Sequence, residues 1–530
     1  MRNLKTPLLA CLTLVACPDD TPGTDTETEG TGSSSSTTSP DPTNADTSTG
    51  PVASGSMTSG SSTAVVDGSS TGPDCTPGEE GCVCGEEDMC DEGLACIEDM
   101  CVVNLCGNGD IDGDEECDDA NGDDFDGCDN DCTISAGAVD VVVGDEHACA
   151  LFHTGQIKCW GNFNSGRLGY FEQAEDVGDN ETPADMDFVN VGAPVQQLAL
   201  GGDFTCALLV TDDVVCWGNG QNGRLGQGSQ ADLGSQEEPA DIPAIDLGGT
   251  PVQIAAGAEH ACAVLGTGEV RCWGRNNEGQ LGLPGVDQVG DDELPAEMPV
   301  VDVGNNVEMI AAGRDHTCAL LGTGGVLCWG RDSDGQLGTA ESNESIGDDE
   351  PPSASTEVLL AEQAVLIAAR YDHNCVAYVG GDVQCWGGGG SGRLGYGNTD
   401  DVGDNEDVVL VMPLTLAGGA PSHLATGASH TCVRMTGTPI FCWGEGDNGR
   451  LGYNSTDDLV EPPAMQVDLN LPLGPRTVSS GSQFTCATTE GSDVKCWGAN
   501  NRGQLGYGDQ WTTDLGDNEQ IDSIGAVMVE

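Results

Sequence analysis

HTCALLGTGGVLCWGRDSDGQLG, residues 316–338, is one of seven copies of a single pattern, and how it is read decides the fold. Cys318 and Cys328 stand ten residues apart in it. The same spacing separates Cys149 from Cys159, Cys206 from Cys216, Cys262 from Cys272, Cys375 from Cys385, Cys432 from Cys442 and Cys486 from Cys496. Trp-Gly follows every second cysteine. From one first cysteine to the next the steps are 57, 56, 56, 57, 57 and 54 residues, a fixed period that signals a solenoid, a propeller or an array. Within a copy, HTCALL and VLCW are short β-prone apolar runs on either side of a Gly-Thr-Gly break, which predicts an antiparallel hairpin. If the hairpin is symmetric about Thr323, Cys318 faces Cys328 at a Cα separation of roughly 4.5–5.5 Å, within reach of a disulfide. All fourteen cysteines therefore read as cross-strand staples, each pair closing about ten residues and worth roughly 2–3 kcal/mol in the chain-entropy model. Side chains alternate along a strand, so Trp329 points away from the face of Cys328 and is expected to wedge against a neighbouring unit.

Each period also offers a strand before the hairpin, such as IAAG, and one after it, such as PVVDV (299–303), for four strands per unit. The motifs CWGNFNSGRLG (159–169), CWGNGQNGRLG (216–226), CWGRNNEGQLG (272–282), CWGRDSDGQLG (328–338), CWGGGGSGRLG (385–395), CWGEGDNGRLG (442–452) and CWGANNRGQLG (496–506) resemble the RCC1 repeat family. The resemblance covers residues 136–530 and implies an all-β fold, a closed seven-bladed β-propeller. That family often closes its ring by pairing strands from the two termini. Residues 139–143 and the final AVMVE are candidates, and the sequence leaves the closure open.

Ahead of the repeats the chain divides into three further parts. Residues 1–16 read as a signal peptide, with basic Arg2 and Lys5 before an apolar stretch too short to span a membrane. Residues 14–17 (LVAC) resemble the lipobox of bacterial lipoproteins, which implies lipidation at Cys17 and an exported protein anchored by lipid to the cell envelope; an ordinary signal peptide with an incidental cysteine is the alternative. Residues 17–74 are almost entirely Ser, Thr, Gly, Pro and Asp, the composition of a disordered tether. Residues 75–134 form a small disulfide-rich region, with six cysteines in 75–101 and four in 106–132. The 106–132 segment resembles the Myxococcus cysteine-rich repeat, departing from it at Ala120. Its Asp119, Asn121, Asp123 and Asp126 place oxygen ligands in a pattern that suits Ca²⁺, although the EF-hand spacing is not met; a solvated acidic loop is the other reading.

Charge bears on function. The chain carries 16 Lys and Arg against 89 Asp and Glu, a net charge of −73. A polyphosphate backbone would be repelled, which argues against nucleic acid as a partner and against guanine-nucleotide exchange and chromatin binding, the best-known activities of the RCC1 family. Membrane contact is expected through the lipid anchor alone. No GxSxG, HExxH or Walker motif appears. His147, His260, His316, His373 and His430 stand two residues before the first cysteine of five units, where Phe204 and Phe484 stand in the others. A ring of metal ligands and a set of histidines each making one local hydrogen bond both fit this pattern, and the free exchange with Phe favours the second.

The most distinctive feature outside the framework is an acidic insertion after the G(R/Q)LG turn. It reads DVGDNETPAD (176–185), QVGDDELPAE (288–297), SIGDDEPPSA (345–354), DVGDNEDVVL (401–410) and DLGDNEQIDS (514–523). Insertions at one point of every repeat emerge on one face. Asp179, Asp291, Asp292, Asp348, Asp349 and Asp404 therefore mark a candidate binding face for Ca²⁺ or a basic partner, the bland reading being solvated surface. The expectation is a surface-tethered, non-catalytic binding propeller that holds an extracellular protein or glycan through loops on one face. The alternative is an extracellular hydrolase or lyase whose acid, base and aromatic groups converge in the central funnel.

Overall fold

The computed structural model describes residues 94–97, 100–103 and 137–530, apart from 172, 174, 341–343, 438 and 468–473. Cys17, the tether and the cluster Asp119, Asn121, Asp123 and Asp126 lie outside the described residues. In the disulfide-rich region, Leu94–Ile97 pairs antiparallel with Met100–Val103, and Cys96 stands opposite Cys101 in the register.

From residue 137 onward seven antiparallel sheets follow one another in chain order. The first strands are Ala138–Val143, Val195–Leu200, Pro251–Ala256, Val307–Ala312, Ala364–Arg370, Pro421–Thr426 and Pro475–Ser480. Each contacts the first strand of the next sheet, and the seventh contacts the first, so these strands encircle an axis and the ring is closed. The hairpins lie outside them. In the fourth blade His316–Leu321 pairs with Val326–Gly330, with Cys318 opposite Cys328, and the same register holds in every blade.

Every cysteine of the ring is bonded within its own hairpin. Cys149 joins Cys159, Cys206 joins Cys216, Cys262 joins Cys272 and Cys318 joins Cys328. In the last three blades Cys375 joins Cys385, Cys432 joins Cys442 and Cys486 joins Cys496. The Cα separations are 4.0–4.1 Å. The pairing is the one expected from the spacing, but the separation is shorter than the sequence estimate and matches the closer, non-hydrogen-bonded kind of cross-strand pair. Thiol labelling of the unreduced, folded protein should therefore find no reactive cysteine in 149–496. Several free thiols, or peptide maps joining cysteines of different blades, would contradict the arrangement.

The expected fourth strand is mostly reduced to single bridges. The third strand of a blade is met once near its end by the start of the acidic insertion, as in Gly161 with Val177, and once near its beginning by the later apolar run, as in Val270 with Val301. Among the described residues only the third blade has a two-residue fourth strand, Gln288–Val289, and it comes from the insertion rather than from PVVDV. Between the two contacts the chain makes a 3-10 turn that in four blades begins with proline, as at Pro183–Asp185 and Pro295–Glu297. Proline has no N–H to continue a ladder.

Among the described residues the ring closes with no strand exchanged between termini. Residues 138–143 pair inside the first blade, and Val527 bridges Val494 inside the seventh. The closing contact copies the others. Ala184 N donates to Met528 O at 2.9 Å, as Ala240 N does to Asn190 O (3.0 Å), Ala296 N to Asp246 O (3.0 Å) and Ser353 N to Asp302 O (2.8 Å).

The seven tryptophans that follow the second cysteines are fully buried. Each indole Nε1 donates across a blade interface to the carbonyl of the Arg or Gln in the preceding G(R/Q)LG turn, at 2.9–3.1 Å. The tryptophans are thus polar ties between blades as well as apolar wedges.

Candidate functional site

The histidines belong to the same interfaces. His260 Nε2 lies 2.9 Å from Thr317 Oγ1 of the next blade, and that hydroxyl donates to Gln280 O, the carbonyl already held by Trp329. The hydroxyl has one hydrogen and has spent it, so His260 must be the donor, which fixes the Nε2–H tautomer. His147, His373 and His430 meet Thr205, Thr431 and Thr485 in the same way, and His316 meets the side-chain oxygen of Asn374. Where the unit has Phe204 or Phe484, the following blade has Ala261 or Ala148 in place of the hydroxyl. Polar and apolar partners therefore exchange as pairs. All five histidines are fully buried and their Nδ1 atoms have no hydrogen-bond partner among the described residues; burial holds each pKa below the usual imidazole value, to about 3 for His260. Their Nε2 atoms are committed to neighbouring blades, an arrangement that serves blade docking.

The register places the functional loops. Because His147 pairs with Gly161, the loop before the histidine, the G(R/Q)LG turn and the start of the acidic insertion all lie at one end of the blade. At the axis on this face six blades carry glycine three residues before the His or Phe. A Cβ on Gly257 would sit 2.3 Å from the His260 ring and 2.4 Å from Gly313 O of the next blade. The fifth blade has Arg370 instead. Its guanidinium reaches the first blade, donating to Val143 O (3.1 Å) and to Asp145 (3.0 Å). Arg167 and Arg224 pair with Asp203 and Glu259 of the following blades at 2.8 and 2.9 Å. In the sixth and seventh blades the equivalent acid is replaced by Ser429 and Gln483. There Arg393 turns to Ala428 O, and Arg450 turns to its own blade's Glu445. Beside these uncharged positions lies a cavity of about 490 Å³, bordered by Asp145, Glu146, Asp203, Tyr371, Glu445 and Arg450.

The acidic insertions lie towards the rim of the same face. Each turn is seated on the G(R/Q)LG turn of the preceding blade. Gly279, at φ +80°, leaves no room for a side chain, because a Cβ there would lie 2.7 Å from Asp348 N. Asp291, Asp292 and Glu293, and likewise Asp348, Asp349 and Glu350, hold carboxylate oxygens within 4.8 Å of one another. Burial and the neighbouring aspartates raise Glu293 and Glu350 to about 7. Asp179 and Asp404 occupy the equivalent position in the first and fifth blades, with Glu181 and Glu406 also raised. The structure thus gathers the six candidate aspartates on one face in separate turns rather than in a single site. The sequence placed the alternative site in the central funnel, but none of the residues that line this pocket stood among its candidates. A signal for it was the odd member of the repeat, Arg370 where the other six blades have glycine, followed by Tyr371.

Residues 107–423 match the RCC1-like domain, and residues 476–504 match the regulator of chromosome condensation (RCC1) repeat. The chain belongs to the RCC1-like family. It is 30% identical to the ultraviolet-B receptor UVR8 of Arabidopsis thaliana over 375 residues, which is 70% of this chain and 78% of the receptor. It is 26% identical to the human E3 ubiquitin-protein ligase HERC2 over 69% of this chain, and that match spans only 7% of the ligase. Yeast RCC1 (Prp20), solved with Kap60 bound, superposes with a TM-score of 0.54 at 20% identity, covering 73% of this chain and 85% of the other. Human WBSCR16 gives a TM-score of 0.53 at 21% identity, covering 66% and 86%. At such identities the superpositions establish the propeller alone. This RCC1-like ring is stapled by a disulfide in every blade.

Proposed function

We propose that this RCC1-like protein is an exported, lipid-tethered, non-catalytic propeller that holds a basic extracellular protein on its acidic face. One observation carries the reading: in five blades the Gly-Asp-Asp/Asn-Glu turns emerge at the same end of the ring, on the side of the axial pocket. A face of that sign, on a chain of net charge −73, attracts a basic partner and speeds its arrival. Protein binding is also what the Kap60 complex records for yeast RCC1. Ca²⁺ held by the Asp-Asp-Glu turns, or by Asp119, Asn121, Asp123 and Asp126, would bridge to a partner carboxylate or a glycan in the same role.

The test uses the full chain in detergent, with hexa-arginine peptide as the basic probe. Replacing Asp179, Asp291, Asp292, Asp348, Asp349 and Asp404 together with Asn should weaken probe binding at least tenfold at low salt and flatten its salt dependence, with the unfolding midpoint retained. Unchanged binding, with chelator present, would reduce the loops to a soluble coat. The tether is tested separately. Cys17→Ser should move the protein out of the membrane fraction, and a variant that fractionates like the wild type would end the lipid reading. The competing reading, a hydrolase or lyase in the funnel, draws on the convergence of Asp145, Glu146 and Tyr371 at the axial pocket.

A further inference from the structure

We infer that the axial pocket is a subsite for an uncharged, hydroxyl-rich saccharide, distinct from the acidic rim that the proposed function uses. Its carboxylates are not a free cation trap, because each is already held through one oxygen. Asp145 accepts from Arg370 (3.0 Å), Glu146 from Asn162 (2.6 Å), Asp203 from Arg167 (2.8 Å) and Glu445 from Arg450 (2.6 Å). This fixes the carboxylates in orientation and leaves the second oxygens of Glu146, Asp203 and Glu445 as acceptors.

A donor faces the same space. Arg450 is 3% exposed and lines the cavity; its Nε is given to Asp447 O and its Nη1 to Glu445, while Nη2 donates to no group among the described residues. That nitrogen is not sealed in the protein, so from the cavity wall it can donate to an acceptor on a ligand. Acceptors and a donor side by side suit a hydroxyl group, which both gives and takes a hydrogen bond. A simple cation would leave Arg450 unmet, and an anion would meet the carboxylates and the field of the −73 chain. The cavity of about 490 Å³ lies in the range usual for small-ligand pockets. Apart from Tyr371 and Ala428 its lining is polar, which gives an apolar side chain little to bury against.

Saturation-transfer NMR and calorimetry on the full chain in detergent, with maltotriose, cellotriose and tri-N-acetylchitotriose as probes, test this. At least one neutral trisaccharide should bind, and trigalacturonic acid should not. Gln483→Trp, which fills the mouth from an exposed position, and Arg450→Lys should each weaken binding at least tenfold. The six-Asp rim variant should bind the sugar as the wild type does, so failure here and failure of the basic-partner reading are separable. The unfolding midpoint identifies a damaged variant, and Ser429→Phe is then the second block. The inference is overturned if no neutral probe binds, if binding survives the blocked pocket, or if tri-lysine occupies the pocket in preference to every sugar. Cleavage of the bound sugar would keep the subsite and replace the non-catalytic reading.

Discussion

Trp329→Ala should lower the stability of the propeller by about 3–5 kcal/mol, the usual cost of emptying a large buried aromatic site. Trp329 is fully buried, and its Nε1 lies 3.1 Å from Gln280 O across the interface between the third and fourth blades. Trp329→Phe separates the two contributions. It keeps much of the buried area and removes the polar tie, but Thr317 still donates to the same carbonyl. The loss should then be about 1 kcal/mol, that of one hydrogen bond whose acceptor stays satisfied. Chemical unfolding followed by circular dichroism reads both variants. Equal losses for Ala and Phe would make the indole N–H, not the wedge, the main contribution.

The second large effect is an acid limb set by the interface histidines. His260 is held down to about 3, whereas an imidazole in the unfolded chain titrates near 6.5. Below pH ~6.5 the unfolded chain binds a proton that the folded chain refuses, so this contribution to stability is present above that pH and is lost as pH falls. At pH 5 the loss is about 2 kcal/mol for one such histidine. The raised rim glutamates act in the opposite sense, because protonation favours their folded form. A single interface is therefore best isolated by variants. The double variant His260→Phe with Thr317→Ala reproduces the pairing of Phe204 with Ala261 already present in the ring. It should fold, and it should lose about 2 kcal/mol less than the wild type between pH 7 and pH 5. Thr317→Ala alone strands the His260 N–H without its acceptor and should cost about 1–3 kcal/mol at pH 7, more than the double variant does. Additive effects of the two single changes, or an unchanged acid limb, would refute the pairing.

The hairpins, their staples and the number of blades were legible in the chain because all three depend on local spacing. Ten residues about a Gly-Thr-Gly turn bring Cys318 to Cys328 whatever the rest of the chain does, and a seven-times repeated unit with one apolar face must bury it on its neighbours. The fourth strand was over-read. PVVDV has strand-like residues, but the proline-led 3-10 turn before it leaves contact at Val301 alone. Sequence order also could not tell what the histidines meet, since His260 and Thr317 are 57 residues apart and become neighbours only when two blades dock.

By itself, then, the sequence determined the β-hairpin unit, its cysteine staple, the seven-fold count and the acidic character of one set of loops, all of them consequences of side-chain alternation and local turn geometry. Only the tertiary structure decided how the ring closes, which carbonyl each Trp and Thr shares, and that Arg370 of the fifth blade reaches Asp145 of the first, 225 residues away. Those contacts join groups from different repeats. The pocket beside them exists because the ring's curvature brings together Asp145, Asp203, Glu445 and Arg450 from three separate blades, and no spacing along one strand encodes that convergence.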